Sequence, residues 1–348
     1  MSPHICATLL IGVMLGTFLV ATSSHWLLAW MGLEISTLAI IPMMAQHHHP
    51  RAVEAATKYF LVQAAGAAVL LFASTTNAWL TGQWDILQLA HPFPANLIIV
   101  ALALKLGLAP LHSWLPEVLQ GLDLTTGLLL STWQKIAPIM LLVQVLPKDT
   151  TLLVAISVIS MLVGGWGGLN QTQLRKVLAY SSIAHLGWMT IVSPFLPSLT
   201  ILTLAVYILM TCSMFMILKM YKVLSIATLA TTWTKTPALG ALMSLVLLSL
   251  GGLPPLTGFM PKWLVMQELI NQGLAPIATM AALAALLSLY FYLRLAYAIT
   301  LTISPNVLTA TPTWRLPAST TSLPLCIFMV HTLMLLPLTP TLVSLVTA

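Results

Sequence analysis

Charged side chains occur inside long apolar segments of this sequence, where exposure to lipid would be costly. Glu34, Lys105 and Lys135 each lie within such a segment, and Lys262 follows the end of another. A charge at the bilayer centre costs about 3 kcal/mol on insertion scales, so these side chains must face protein or water. A lysine in apolar surroundings can exchange its proton near neutral pH, and a nearby carboxylate can control that exchange. The four residues therefore predict proton uptake and transfer inside a membrane.

A repeated proline motif lies beside two of these lysines. The pattern Gly-x-x-Pro-Leu-x-x-aromatic-x-Pro-charge occupies residues 107–117 and recurs 145 positions later at residues 252–262. Proline removes a backbone donor and leaves a carbonyl group without its helical partner, so a membrane helix breaks there only where protein or water satisfies that group. We therefore predict two broken helices. The prolines assigned to the breaks are Pro110, Pro116, Pro254, Pro255 and Pro261.

Two histidines in the apolar segments are candidate proton relays, because imidazole titrates near neutral pH. His112 lies inside the first predicted break, where it could instead hydrogen-bond and satisfy the broken helix. His185 could likewise be a structural histidine between helices. The run from His47 to His49 lies in a predicted loop without further ligands at defined spacing, so no metal site is assigned to it.

The composition is typical of a polytopic membrane protein. Of the 348 residues, 59% are hydrophobic and 6% are charged, whereas a soluble domain carries about 25% charged residues. The three cysteines lie far apart and the sequence has no Gly-x-Gly-x-x-Gly loop, so we expect no cofactor in this chain and disfavour a redox enzyme acting by itself. The glycines of residues 164–168 indicate close helix packing instead.

Segment lengths predict an all-α protein with about eleven membrane spans. The fourth and ninth spans contain the breaks. Because they are five spans apart, the two breaks should cross the membrane in opposite directions, as in an inverted repeat with halves at about 1–146 and 150–303 and a further C-terminal span. The predicted spans are 5–21, 26–45, 57–80, 96–120, 123–146, 150–169, 176–194, 199–220, 237–270, 275–303 and 321–346.

Basic residues are distributed unequally among the predicted loops. Loops after odd-numbered spans carry only Lys148. By the positive-inside rule, the even-numbered loops and the N-terminus face the cytoplasm or its organellar equivalent, and the C-terminus faces the other side. The basic residues that follow even-numbered spans are Arg51, Lys58, Arg175, Lys176, Lys219, Lys222, Lys235 and Arg315.

Three stretches carry a specific resemblance to a known family. They read SHWLLAWMGLE at residues 24–34, LNQTQLRKVLAYSSIAHLGW at 169–188 and GGLPPLTGFMPKW at 251–263. Over essentially its whole length, the sequence resembles the chain 2 family of NADH-ubiquinone oxidoreductase in its vertebrate form. Members of that family are mitochondrially encoded, antiporter-like subunits of respiratory complex I.

The resemblance implies a proton-translocating membrane-arm subunit that couples electron transfer from NADH to ubiquinone to proton pumping. The family's polar axis across the membrane matches Glu34, Lys105, Lys135 and Lys262. FMN, iron–sulfur clusters and ubiquinone are then expected in other subunits. The implied partners are the other core and accessory membrane-arm subunits and membrane lipids such as cardiolipin, with no nucleic acid. The implied location is the mitochondrial inner membrane, with the N-terminus in the matrix and the C-terminus on the intermembrane-space side.

Some features leave other functions open. Gln173 stands where the family loop has an acid, so no acidic role is assigned there. A cation/proton antiporter subunit would have the same fold, although it would need further acids to bind sodium. A structural membrane scaffold that conducts nothing is the other alternative.

Overall fold

The computed structural model describes residues 2–46, 49–89, 91–145, 150–232, 237–301 and 322–347. Within these ranges the chain is helical and contains no β-strand, which confirms the predicted all-α class. The predicted-loop residues His47, His48, Lys148, Lys235 and Arg315 lie outside the described residues. The helices are α1 (Pro3–Thr22), α2 (Trp26–Met44), α3 (Pro50–Thr81), α4 (Pro92–Leu106), α5 (Trp114–Gly121), α6 (Leu124–Ser131), α7 (Trp133–Gln144), α8 (Thr151–Gly168), α9 (Leu174–Val192), α10 (Pro197–Tyr221), α11 (Ile226–Ala230), α12 (Pro237–Gly251), α13 (Phe259–Asn271), α14 (Ala275–Thr300), α15 (Ser322–Met334) and α16 (Thr339–Thr347).

The helices have the lengths and composition of membrane spans. Seven helical segments of the described chain are long and apolar enough to cross a membrane. Shorter apolar helices at Pro92–Leu106, Pro237–Gly251 and Leu323–Met334 belong to the two broken spans and the last predicted span. Large apolar side chains face outwards, among them Trp79 at 89% exposure. The protein is therefore a multi-pass membrane protein.

The chain forms two compact units, of which the first comprises Met1–Ser160 and Met189–Pro197. In this unit α1 packs against α2, and α3 packs against both α2 and α4. The crossing of α1 and α2 is close, because a β-carbon on Gly16 would lie 2.6 Å from the carbonyl oxygen of Gly32. Small residues let membrane helices approach each other in this way.

The second unit comprises Met161–Trp188 and Ser198–Ala348. Here α12 packs against α14. The glycine-rich end of α8 packs closely as predicted, since a β-carbon on Gly164 would lie 2.6 Å from the backbone nitrogen of Ala184 on α9. The predicted repeat halves, 1–146 and 150–303, stay a prediction.

Both predicted helix breaks are present, and they have the same backbone geometry. α4 and α12 are each 15 residues long, and each is followed by a glycine with positive φ, Gly107 at 78° and Gly252 at 82°. The N–H of each glycine donates to a carbonyl four residues earlier, at 2.9 Å to Ala103 and 3.1 Å to Leu248. A left-handed helix end favours glycine because it has no β-carbon.

The chain becomes helical again at equivalent positions after each break. α5 begins at Trp114 and α13 at Phe259, so the non-helical interruptions are residues 107–113 and 252–258. The prolines at 116 and 261 lie in the first turn of the second helix, where a missing N–H removes no intrahelical bond. These two prolines therefore favour the start of the second helix, whereas Pro110 lies within the interruption.

Two further interruptions were not predicted from the sequence. The span predicted at 123–146 is divided at Thr132, which has φ −112° and ψ −70°. The hydroxyl of Thr132 donates to the carbonyl of Leu128 at 2.7 Å, and such local bonds compete with regular helical geometry. The last predicted span is divided by a 3₁₀ turn, Leu336–Leu338, which contains Pro337. The interruptions lie inside the predicted spans, and Leu124–Gln144 is still long and apolar enough to cross a membrane, as the span predicted at 123–146 requires.

Candidate functional site

Lys105 and Lys135 line one small cavity in the first unit. α4 carries Lys105 and α7 carries Lys135, while α2, α3 and α5 contribute to the walls. The cavity volume of about 20 Å³ is enough for a single water molecule. The cavity therefore offers a space in which two buried lysines could exchange a proton through water. The other polar side chains that line it are Ser36, Thr37, Tyr59, Gln63 and Gln134.

Lys105 lies in the last turn of α4 and is 5% exposed. Its Nζ has no hydrogen-bond partner within the described part of the chain. The methylene stem passes Gly66 on α3, where a β-carbon would lie 3.1 Å from Cγ of Lys105. A buried ammonium group needs acceptors, and a water molecule in the cavity can supply one. The exchange of a proton between Lys105 and water stays a prediction.

Lys135 follows the interruption at Thr132 by one turn and is 3% exposed. Its backbone N–H donates to the carbonyl of Thr132 at 3.3 Å, so the interruption sets the start of the helix that carries the lysine. Pro138 lines the same cavity and cannot donate to the carbonyl of Gln134, which would be its helical acceptor. The cavity wall on α7 thus combines a lysine with a carbonyl that lacks its usual donor.

Glu34 lies on α2 beside the cavity rather than in its wall. It is half-buried, and it lies close enough to Lys105 for opposite charges on the two side chains to attract each other. Since Nζ of Lys105 has no hydrogen-bond partner among the described residues, the carboxylate does not bind it directly. Any influence of Glu34 on Lys105 is therefore electrostatic, and its role in proton transfer stays a prediction.

Lys262 lies in the second unit, in the first turn of α13, and is 8% exposed. Its Nζ donates at 2.8 Å to the carbonyl of Gly251, the last residue of α12. It lies over Gly252, where a β-carbon would be 3.0 Å from Nζ. The carbonyl end of a helix carries a partial negative charge that attracts a cation. Lys262 thus caps the helix that precedes it in the second break.

The two candidate histidines have different surroundings. His112 is half-buried in the interruption between α4 and α5, and its ring hydrogen-bonds the backbone of Pro110. His185 lies on α9, is 9% exposed, and has its ring centroid 5.6 Å from that of Tyr207. His112 does not line the cavity of the first unit. The relay roles of both histidines stay predictions.

Neutral polar side chains around the first break were missed in the sequence. Gln63 donates its amide to the carbonyl of Lys105 at 3.3 Å, and Gln134 donates to the carbonyl of Ser36 at 3.2 Å. The first bond satisfies a carbonyl left free at the end of α4, and the second joins α7 to α2. The sequence signal that could have found them is a glutamine inside an apolar segment. A buried side-chain amide is costly without a hydrogen bond, so such a glutamine indicates a partner.

Polar groups at the start of α3 lie at the surface of the first unit. His49, the one described residue of the histidine run, accepts the N–H of Arg51 on Nδ1 and so caps the helix. Lys58 pairs with two carboxylates, Glu54 on its own helix and Glu117 on α5, each at 2.8 Å. The exposed pair with Glu117 joins α3 to α5 outside the cavity.

Known proteins match this chain over nearly its full length. Residues 23–288 match the family described as NADH:quinone oxidoreductase/Mrp antiporter, and residues 289–343 match NADH dehydrogenase subunit 2 C-terminus. The chain is 66% identical over 345 residues to NADH-ubiquinone oxidoreductase chain 2 of Tetraodon nigroviridis, with 99% of each chain covered. It is 65% identical over 348 residues to the protein of the same name in Salmo salar, with 100% of each covered.

A solved structure has the same fold. A chain of respiratory complex I from Thermus thermophilus is 28% identical to this one and superposes with a TM-score of 0.84, covering 95% of this chain and 77% of that chain. The first family model includes both helix breaks and every residue of the lysine cavity. The chain therefore belongs to the NADH-ubiquinone oxidoreductase chain 2 family of antiporter-like membrane subunits.

Proposed function

We propose that this chain translocates protons in the membrane arm of respiratory complex I, coupled to electron transfer from NADH to ubiquinone elsewhere in the complex. The observation that carries the proposal is the cavity shared by Lys105 and Lys135. Ionisable residues inside a membrane protein are functional by default, and a polar cavity of this size can hold water. Membership of the chain 2 family supports the same role.

Glu34 is the proposed control on the proton affinity of Lys105. Opposite unit charges about 4 Å apart interact by about 4 kcal/mol at an effective dielectric constant of 20. That energy changes a protonation equilibrium by about three orders of magnitude. With Glu34 ionised and near, Lys105 holds its proton. With Glu34 neutralised or moved away, Lys105 releases the proton through the cavity water to Lys135.

Lys262 is the proposed proton carrier of the second unit. Its ammonium group donates to the carbonyl at the end of α12, and a charged donor makes a stronger hydrogen bond than a neutral one. Loss of the proton therefore weakens the contact between α12 and α13. The protonation of Lys262 and the geometry of the second break are coupled in this proposal.

The proposed setting is the mitochondrial inner membrane, with the N-terminus in the matrix and the C-terminus on the intermembrane-space side. Basic residues such as Arg51, Lys176 and Lys219 follow even-numbered spans and support this orientation. The proposed partners are other core and accessory subunits of the membrane arm, together with lipids such as cardiolipin. FMN, iron–sulfur clusters and ubiquinone are proposed to bind to other subunits.

The test is Lys105→Met in the assembled complex, reconstituted into lipid vesicles, with protons pumped per electron as the measurement. Methionine removes the titratable group and keeps a long, flexible side chain. We expect a lower stoichiometry than in the wild type. The matched control is Lys219→Met at the exposed end of α10, which should pump normally. An assembled Lys105→Met complex with full stoichiometry would overturn the proposal.

The two alternative functions give different results in the same vesicles. A cation/proton antiporter subunit would make transport depend on sodium in the medium. A non-conducting scaffold would keep the wild-type number of protons per electron even when Glu34, Lys105, Lys135 and Lys262 are neutralised together, although assembly could fall.

A further inference from the structure

An open, charged pocket lies at the surface of the first unit, separate from the lysine cavity. Its volume is about 400 Å³, and it lies between the first turns of α3 and the helix α5. Arg51, Glu54 and Lys58 line it from α3, and Glu117 lines it from α5. These two cations and two carboxylates carry no net formal charge. The pocket therefore suits a ligand that itself carries one cation and one anion.

The ion pairs in this pocket leave hydrogen-bonding capacity for a ligand. Nζ of Lys58 contacts one oxygen of Glu54 and one oxygen of Glu117, each at 2.8 Å. A carboxylate has two oxygens and about four acceptor sites, so each glutamate can accept from a second cation. The guanidinium of Arg51 presents a fork of N–H donors that matches a phosphate group. The pocket thus offers acceptors for an ammonium group and donors for a phosphate.

The length of α3 places the pocket at the depth of the lipid headgroups. The helix has 32 residues and is about 48 Å long, whereas the hydrocarbon core of a bilayer is about 30 Å thick. Trp79, near its C-terminal end, is 89% exposed, and exposed tryptophans concentrate at the membrane–water interface. Lys58 lies about 32 Å before Trp79 along the helix axis. The pocket is therefore expected in the headgroup layer of the opposite leaflet.

An exposed apolar stripe continues from the pocket along the same face of α3. Residues three or four apart share a helix face, and the exposed positions that follow Lys58 on its face are Leu61, Ala65, Ala68 and Phe72. Leu61 is 65% exposed and Phe72 is 56% exposed. The two alanines between them leave a shallow groove wide enough for an acyl chain. A charged pocket followed by an apolar groove is the pattern that a phospholipid matches, and a soluble ligand would use only the pocket.

We propose that this pocket binds the headgroup of an amine-bearing zwitterionic phospholipid, phosphatidylethanolamine, with one acyl chain lying along α3. Arg51 binds the phosphate, and Glu54 and Glu117 accept hydrogen bonds from the ammonium group. Ethanolamine has three N–H donors for these carboxylates, whereas the quaternary nitrogen of choline has none. An anionic phospholipid would bring its phosphate to the two carboxylates without a compensating cation. The site does not include the lysine cavity, so this inference does not depend on proton translocation.

The experiment measures photocrosslinking of lipids to this chain in the whole purified complex. The complex is depleted of lipid and mixed with phosphatidylethanolamine, phosphatidylcholine or phosphatidylglycerol, each carrying a diazirine in one acyl chain, and labelled peptides are identified by mass spectrometry. Loss of one charge-assisted hydrogen bond lowers binding by about tenfold. Phosphatidylethanolamine should therefore label the α3 peptide about tenfold more than either other lipid.

Glu54→Gln combined with Glu117→Gln tests the ammonium acceptors. The double variant keeps Arg51 and Lys58, so the pocket becomes positively charged. Labelling by phosphatidylethanolamine should fall by about tenfold, and phosphatidylglycerol should become the preferred lipid. The matched control is Glu268→Gln, which neutralises an acid on α13 outside the pocket and should label as the wild type does.

Arg51→Gln tests the phosphate contact and replaces the double variant if that variant does not assemble. Arg51 is exposed, and its loss should also lower labelling by about tenfold. Unchanged labelling in the double variant, or in Arg51→Gln where the double variant does not assemble, would overturn the proposal. Equal labelling of the wild type by phosphatidylethanolamine and phosphatidylcholine, or stronger labelling by phosphatidylglycerol, would overturn it too. Absence of labelling on α3 by all three lipids would show that another subunit covers the pocket, with the same consequence.

Discussion

The two helix breaks have the same backbone but hold their lysines differently. At the first break, neutral side chains satisfy the end of α4: Gln63 donates to the carbonyl of Lys105, and Trp114 donates to that of Leu104 at 3.2 Å. The ammonium group of Lys105 is left for the cavity. At the second break, Lys262 itself satisfies the end of α12. The first lysine is therefore free to meet water, whereas the second is part of the helix cap.

The two copies of the repeated motif carry their buried lysines at different positions. The position that corresponds to Lys105 in the second copy is Leu250, which is fully buried. The position that corresponds to Lys262 in the first copy is Glu117, which is exposed and paired with Lys58. One backbone motif thus supports two different arrangements of a buried lysine, because the lysine is placed before the glycine in one copy and after it in the other.

The largest contrast in stability is expected between Lys262→Met and Lys105→Met. Methionine at 262 leaves the carbonyl of Gly251 buried without a donor, which should cost about 1–3 kcal/mol. Methionine at 105 removes an ammonium group that has no hydrogen-bond partner, so stability should stay unchanged or rise. Thermal inactivation of the purified complex measures both. Equal losses of thermal stability in Lys262→Met and Lys105→Met would contradict the distinction between a lysine that caps a helix and a lysine that faces the cavity.

Alanine at the two break glycines should separate backbone strain from displacement of the lysine. Gly252→Ala and Gly107→Ala each impose a left-handed conformation that costs about 1–2 kcal/mol. At 252 the new β-carbon also meets Nζ of the lysine at 3.0 Å, whereas at 107 it meets Cδ1 of Leu115 at the same distance and no lysine. We therefore expect proton pumping to fall further in Gly252→Ala.

The control for Gly252→Ala and Gly107→Ala is Gly82→Ala. Gly82 has φ 73° and nothing within 4 Å of a new β-carbon, so alanine there tests strain alone. It should lower the thermal stability and leave protons per electron unchanged. A pumping defect in Gly82→Ala equal to that in Gly252→Ala would attribute the effect to strain rather than to Lys262.

Gln63→Leu should weaken the first break less than Lys262→Met weakens the second. The lost bond is a neutral amide at 3.3 Å, and neutral hydrogen bonds contribute about 1 kcal/mol. The charged bond at 2.8 Å is stronger. Thermal inactivation of the two variants, compared side by side, checks the order. A larger loss of thermal stability in Gln63→Leu than in Lys262→Met would contradict the assignment of the stronger hydrogen bond to Lys262.

Glu117→Gln is expected to have the smallest effect. Glu117 corresponds to Lys262 in the repeat, but it lies at the surface and binds Lys58, where ion pairs contribute little and are screened by salt. Protons per electron should match the wild type. Any change in thermal stability should shrink as the salt concentration rises, and a salt-independent loss would show that the pair is not a simple surface contact.

The sequence was sufficient to predict the helix breaks and the residues that stand out by charge. Glycine and proline are local signals, and a lysine in an apolar segment is visible without any contact map. For this reason the two breaks could be placed from the repeat alone. Glu34, Lys105, Lys135 and Lys262 could also be singled out, although their role in proton transfer stays a prediction.

Features that depend on distant contacts could not be predicted. The bond from Gln63 to Lys105 joins residues 42 positions apart, and the cavity appears only when several helices are packed together. Thr132 interrupts its helix without a proline, so the sequence carried no breaker signal. Tyr292 looks like an ordinary aromatic core residue until its unsatisfied hydroxyl is seen in the packed unit.

The missing side chain at Gly66 has a consequence for the speed of proton exchange at Lys105. The methylene stem is confined against bare backbone, since even one added carbon would approach Cγ to 3.1 Å. The stem therefore cannot move towards α3 at this point, and the lysine lines the cavity in this conformation. For the proposed proton exchange at Lys105, we therefore expect hydration of the cavity, rather than rotamer exchange, to set the rate.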